Sequence, residues 1–120
     1  MRWLFAAFLA FMAGTLLAPG AAIAGDYAPL DCAKAKSAAE KTICKSYALG
    51  QAEARMATLF GIATSLVAMG QRGDLRDTQR EWLKTREACG ASAPCLTDTY
   101  ATRIRALADV IDGIASHGPY

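Results

Sequence analysis

The sequence predicts an all-α domain: a small antiparallel three-helix bundle with a short extra N-terminal helix, stapled by two disulfides. Apolar residues recur at helical spacing over three long segments, and no segment shows the alternation with period two that a half-buried strand produces. The links between these segments are short, which favours antiparallel neighbours. The four cysteines of the chain suffice for two covalent links.

The first 24 residues are predicted to be a signal peptide. Arg2 precedes an apolar run from Trp3 to Leu17, and Ala22-Ile23-Ala24 has the small-x-small pattern of a cleavage site. The run of about 15 residues is short for a membrane span, which needs about 20, so a retained membrane anchor is the less favoured alternative. We therefore expect cleavage after Ala24 and a periplasmic or secreted domain of residues 25–120, with its core at about residues 31–115.

The cysteines all follow the predicted leader, and an even number of them in a short exported chain indicates disulfides. Three pairings are possible. We favour Cys32–Cys44 and Cys89–Cys95, because the members of each pair are close in sequence. Zinc is the weaker alternative, since intervals of 11 and 5 residues lack the Cys-x2-Cys spacing typical of zinc sites and the compartment is oxidising. We accordingly predict no metal and no cofactor.

The first half of the domain is expected to contain a short helix and a long one. Residues 25–30 should form a loose N-terminal arm. Ser37 and Glu40 have the spacing of a capping box, which predicts a short helix that begins at Ser37. An amphipathic helix is then expected from about Ala48 to Met69. Its apolar positions are Leu49, Ala52, Met56, Leu59, Ala63 and Leu66.

The second half is expected to hold two further helices. Gly70 and Gly73 predict a turn, with Asp74 as N-cap of a helix from Leu75 to about Cys89. The segment from Gly90 to Pro94, which includes Ser92, predicts a break. The last helix is expected to begin at Cys95, and residues 116–120 should form a frayed tail. The apolar positions of this last helix are Leu96, Tyr100, Ile104, Leu107, Ile111 and Ile114.

Several polar residues lie on the apolar faces of these helices. Arg86 and Arg103 either face a partner or, as we favour, form internal ion pairs with Glu40 or Glu53. Gln79 is expected to bond a backbone group or a helical neighbour. The aromatic residues beside these arginines, Trp82 and Tyr100, are expected to belong to the core.

Charge and side-chain chemistry argue against an enzyme. Without Arg2 the chain has 12 basic and 11 acidic residues, and the two signs are interspersed, unlike the basic stripe of a nucleic-acid or membrane-surface binder. His117, the only histidine, lies in the expected tail, and the carboxylates are scattered singly. There is no glycine-rich phosphate loop, and the thiols are expected to be oxidised. We predict no catalytic residue.

An ordered set of residues resembles the lysozyme inhibitor LprI-like family of small exported bacterial proteins, over about Asp31 to Leu107. The set comprises Cys32, Glu40, Cys44, Leu49, Gln79-x-x-Trp82-Leu83-x-x-Arg86-x-x-Cys89, Cys95, Tyr100 and Arg103. Glu53 departs from the aspartate usual in the family, and Phe60 from a frequent tyrosine. The resemblance implies a helical, disulfide-linked fold without a catalytic constellation.

Two functions follow as hypotheses, with a third less favoured. The first is a lysozyme inhibitor, which the resemblance implies, with Gly90–Pro94 or Gly70–Gly73 as the element that enters the cleft of the enzyme. Many lysozymes are strongly basic, so a chain with a net charge of +1 after removal of Arg2 gains no long-range steering toward them. The second is a structural or interaction module of the cell envelope with another protein partner. The third is self-association through an amphipathic helix.

Overall fold

The computed structural model describes residues 29–117, and within this range the protein is all-helical, as predicted. A 3-10 turn, Cys32–Lys34, precedes four α-helices: α1 (Ala38–Lys45), α2 (Tyr47–Leu66), α3 (Met69–Ala88) and α4 (Ala93–His117). None of these helices is long and apolar enough to cross a membrane. The predicted signal peptide, residues 25–28 and the last three residues lie outside the described range. The finer expectation, an antiparallel three-helix bundle, stays a prediction.

The N-terminal helix forms as the capping box predicts. The Ser37 hydroxyl accepts a hydrogen bond from the Glu40 amide at 3.0 Å, and the Glu40 carboxylate accepts one from the Ser37 amide at 3.1 Å. The prediction of a loose arm over residues 25–30 is wrong for its last residue, Leu30. Leu30 packs against the core, and its amide donates to the Glu53 carboxylate at 3.0 Å.

The junction between α2 and α3 differs from the prediction. α2 ends at Leu66 rather than near Met69, because the backbone of Val67 is extended. Arg72 of the next helix donates to the carbonyl of Thr64 at 2.8 Å and to that of Val67 at 3.4 Å. These bonds satisfy carbonyl groups that the end of a helix leaves without an intrahelical partner.

The predicted turn at Gly70–Gly73 is therefore wrong. Both glycines and Asp74 lie inside α3, which begins at Met69. A glycine inside a helix costs about 1 kcal/mol relative to alanine, and tertiary contacts commonly override a penalty of that size. Here the helical conformation of residues 69–74 places Arg72 against the end of α2.

The last helix begins two residues earlier than expected. α4 starts at Ala93, and the Ser92 hydroxyl accepts a hydrogen bond from the amide of Cys95 at 3.4 Å. Pro94, predicted to lie in a loop, fits in the first helical turn, where an amide hydrogen has no intrahelical acceptor. The exposed connection is thus shorter, Gly90 to Ser92. At its other end α4 continues through His117, so residues 116 and 117 are helical rather than frayed.

The core lies between α2 and α4, with α1 and α3 packed against it. Its fully buried side chains include Ile43, Met56, Phe60, Leu96, Tyr100 and Leu107. Both favoured disulfides are present: Cys32–Cys44 links the 3-10 turn to α1, and Cys89–Cys95 joins the end of α3 to the start of α4. The Cα atoms of the second pair are 5.5 Å apart.

Candidate functional site

A buried acid–base pair links α2 to α3 at the centre of the molecule. Arg86 and Glu53 are 5% and 4% exposed, and their side chains approach to 3.5 Å, which confirms the predicted ion pair. The Glu53 carboxylate also accepts from the hydroxyl of Tyr100 on α4. Burial, and next the hydrogen bond to Glu53, raises the pKa of Tyr100 well above its usual range. These groups are fully engaged and stabilise the fold.

Arg86 has a second acidic partner that sequence patterns did not indicate. Its guanidinium donates twice to the Glu87 carboxylate, at 3.2 Å and 2.8 Å. It also lies 5.9 Å from the ring centroid of Trp82, within cation–π range. Trp82 is in the core as predicted, 5.2 Å from Tyr100 between ring centroids, and its indole donates to the carbonyl of Thr99 at 3.1 Å.

Arg103 and Gln79 form a second buried polar link, which involves three helices. Arg103 Nε donates to the Gln79 amide oxygen at 2.8 Å, and Gln79 Nε2 donates to the sulfur of Met56 at 3.2 Å. The predicted carboxylate partner for Arg103 and the predicted local partner for Gln79 are therefore both wrong. Burial lowers the pKa of Arg103 below its usual value. A single sequence indicates that both side chains lie on buried faces, but not that they meet.

Glu40 does not pair with either arginine. Its carboxylate accepts from the backbone amides of Lys36 at 2.7 Å and Ser37 at 3.1 Å, and these bonds hold its pKa below the usual range. The charge of Arg86 makes a smaller contribution to that shift. The predicted ion pair is wrong for Glu40, because the start of α1 already occupies this side chain.

The connection between α3 and α4 is short, exposed and closely constrained. Gly90 has φ +54°, a conformation that glycine adopts readily at the end of a helix. Its amide donates to the carbonyl of Glu87 at 3.1 Å, and the Ser92 amide donates to that of Cys89 at 3.1 Å. The Cys89–Cys95 bond closes the segment, while Ala91 and Ser92 are exposed. We call residues 89–95 the bridged loop.

The open grooves on the surface of residues 29–117 include two with mainly apolar linings. One, of about 960 Å³, runs between the end of α2, the start of α3 and the second half of α4, with Leu66, Leu75 and Val110 among its apolar walls. The other, of about 520 Å³, lies between the first halves of α2 and α4. We call it the arginine groove; its lining includes Ala48, Ala52 and Arg55 on α2 and Thr97, Ala101 and Arg105 on α4.

No group of three or more histidine, cysteine or acidic side chains within residues 29–117 is arranged to hold a metal ion. Among the same residues both disulfides are formed and no cysteine is free. The most deeply buried carboxylate in this range, Glu53, accepts hydrogen bonds from Leu30, Arg86 and Tyr100.

Comparison with known proteins agrees with the resemblance in the sequence. A family model described as lysozyme inhibitor LprI matches residues 32–107, which include both disulfides, the Glu53–Arg86 pair and the bridged loop. Comparison with curated proteins and with solved structures gave no match.

Proposed function

The chain belongs to the lysozyme inhibitor LprI family, and on this basis we propose that it is an exported protein that binds a lysozyme and blocks its substrate cleft. The two disulfides support an oxidising compartment, either the periplasm or the exterior of the cell. An inhibitor of this kind needs no catalytic group of its own. It needs an exposed element that keeps its shape when it enters the cleft.

The observation that carries the proposal is the bridged loop. Its disulfide and its backbone hydrogen bonds restrict its conformations before binding, so little conformational entropy is lost when it enters a cleft. Gly90, Ala91 and Ser92 have small side chains, which allow the backbone to approach the cleft walls closely. Gly70 and Gly73 are no longer candidates for this role, since they lie within α3.

The buried polar groups support this loop from behind. Glu53 joins Arg86 near the end of α3 to Tyr100 near the start of α4, and the bridged loop connects these two helices. The network therefore fixes the two ends of the loop relative to α2. In this proposal Glu53, Arg86 and Tyr100 contribute to inhibition through loop position and make no contact with lysozyme.

A lysis assay tests the proposal. The full chain is expressed for export, purified, and added to lysozyme acting on a suspension of bacterial cell walls, whose turbidity falls as lysis proceeds. We expect a concentration-dependent slowing of lysis, and unchanged lysis at a large molar excess would remove the proposal.

A matched pair of variants tests the role of the bridged loop. Ala91→Trp places a bulky side chain on the exposed loop and should weaken inhibition, whereas Ala115→Trp, at an exposed position near the other end of α4, should not. Equal inhibition by the two variants would exclude the loop as the inserted element.

A second candidate function, an interaction module of the cell envelope, is favoured by the larger groove. Leu66 on its wall is 51% exposed, and Met69 nearby in the sequence is 82% exposed. Exposed apolar residues beside a groove are typical of a protein-binding surface. Recovery of a defined envelope partner together with unchanged lysis would favour this function, and size-exclusion chromatography would show whether that partner is a second copy of the chain.

A further inference from the structure

The arginine groove carries two positive charges that no group in the described part of the chain neutralises. Arg55 and Arg105 are both exposed and line the same groove. Neither forms a hydrogen bond or an ion pair with any residue from 29 to 117. By contrast, hydrogen bonds engage Arg72, Arg80, Arg86 and Arg103.

The walls of this groove offer no counter-charge. No aspartate or glutamate lines it, and its other lining residues are apolar apart from Thr97 and the buried Tyr100. The neighbouring acids on α4, Asp98 and Asp109, lie outside the lining and form no ion pair with the two arginines. A shallow apolar groove with two like charges produces a local positive potential, although the whole chain is close to neutral.

The groove and the bridged loop belong to one end of the fold. Thr97, on the groove wall, is two residues beyond Cys95, and its hydroxyl donates to the carbonyl of Ala93 in the first turn of α4. Ala101 and Arg105 follow at intervals of four residues along the same helix face. Arg105 is ten residues beyond Cys95, about 15 Å along the helix, so a protein that covers both the bridged loop and this stretch of α4 would also contact the groove.

We propose that Arg55 and Arg105 bind the pair of active-site carboxyl groups in the cleft of lysozyme, an inference that rests on the proposed function. Lysozyme is a retaining glycosidase, a class whose two catalytic carboxyl groups lie about 5–5.5 Å apart. A guanidinium group matches the geometry of a carboxylate and forms two parallel hydrogen bonds with it. Exposed arginines are also frequent among the residues that dominate binding energy at protein interfaces.

This contact resolves a difficulty in the proposed function. A nearly neutral inhibitor gains no long-range attraction to a basic lysozyme. Two guanidinium groups placed against these carboxyl groups would provide a short-range attraction that does not depend on the net charge of either protein.

Charge-removal variants test the inference. Arg55→Ala/Arg105→Ala is compared with Arg80→Ala/Lys84→Ala, which removes the same charge from exposed positions of α3. The concentration for half-maximal inhibition of lysis should rise at least about 30-fold for the groove variant, as for interface hot spots, and less than about twofold for the control. Circular dichroism and melting temperature check that each variant folds, which the exposure of all four side chains favours.

A second measurement identifies the partner groups. Binding is measured by calorimetry with lysozyme whose catalytic glutamic acid is replaced by glutamine, using both the unaltered inhibitor and the groove variant. If the arginines contact that carboxyl, the two changes are not additive, and the groove substitutions weaken binding much less than they do with intact lysozyme.

The outcomes separate this inference from the function on which it rests. Full inhibition by the groove variant, equal loss in groove variant and control, or additive effects with the altered lysozyme would each overturn the inference and leave the inhibitor function standing. Failure of the unaltered protein to inhibit or bind lysozyme would overturn both.

Discussion

Replacement of Glu53 by alanine should destabilise the protein more than any single exposed substitution. The change removes the acceptor for the Tyr100 hydroxyl, the nearest buried carboxylate to Arg86, and the acceptor for the Leu30 amide. Three segments of the chain lose a connection at once, because Leu30 precedes α1, Arg86 lies on α3 and Tyr100 lies on α4.

The size of the effect follows from what each group retains. Removal of one member of a buried ion pair costs about 3–5 kcal/mol, and the lower end applies here because Arg86 keeps its bonds to Glu87, whose side chain is 37% exposed. The buried hydroxyl of Tyr100 adds about 1 kcal/mol when it loses its acceptor. The sum of about 4 kcal/mol corresponds to a fall in melting temperature of about 16–32 °C for a domain of this size.

Thermal and urea unfolding, followed by circular dichroism, measure this effect. Glu53→Gln keeps an acceptor of similar shape and should cost about half as much, whereas Glu87→Ala, at a more exposed partner of the same arginine, should cost less than about 1 kcal/mol. A melting temperature of Glu53→Ala within about 5 °C of the unaltered protein, or equal losses for Glu53→Ala and Glu87→Ala, would refute the account of the buried network.

Three further predictions concern backbone conformation and pH. Gly73→Ala should raise stability by about 0.5–1 kcal/mol, because Gly73 is helical with open space around it. Gly90→Ala should lower stability by about 1 kcal/mol, because Gly90 has a positive φ. Melting temperatures of the two variants that shift in the same direction would contradict this. The folded state lowers the pKa of Glu40, so the ionised carboxylate stabilises the protein above the usual pKa of 4.5, and this stabilisation is lost as pH falls through the lowered value. The free energy of unfolding of Glu40→Gln should therefore depend less on pH in acid than that of the unaltered protein. The folded state raises the pKa of Tyr100, so the neutral hydroxyl stabilises the protein below the usual pKa of 10.0, and this stabilisation is progressively lost above it. Between pH 10 and about pH 11, the free energy of unfolding of Tyr100→Phe should therefore fall less than that of the unaltered protein.

Local signals in the sequence predicted local structure well. The capping box needs only Ser37 and Glu40, three residues apart, and it is present. The cysteine pairs closest in sequence are the pairs that form. Helical spacing also identified Trp82 as a core residue, because the burial of a large aromatic depends on its helix face.

Features that depend on contacts between elements were harder to predict. Gly70 and Gly73 suggested a turn, but the helix boundary depends on Arg72, whose side chain reaches back to the preceding helix. The partner of Arg103 is an amide on α3 rather than a carboxylate, which charge patterns cannot reveal. The arginine groove was missed for a related reason: periodicity identifies apolar faces but not which charged residues at their edges lack a neighbour.

The chain of hydrogen bonds from Arg103 through Gln79 to Met56 has a consequence for the alignment of the helices. Successive residues in this series of hydrogen bonds lie on different helices, so the bonds form together only in one axial register of α4, α3 and α2. If one helix slid along its neighbour by one turn, about 5.4 Å, most apolar contacts would remain possible, but a buried guanidinium and a buried amide would lose their hydrogen-bond partners. Arg103 and Gln79 thus select one alignment among several that hydrophobic packing alone would tolerate.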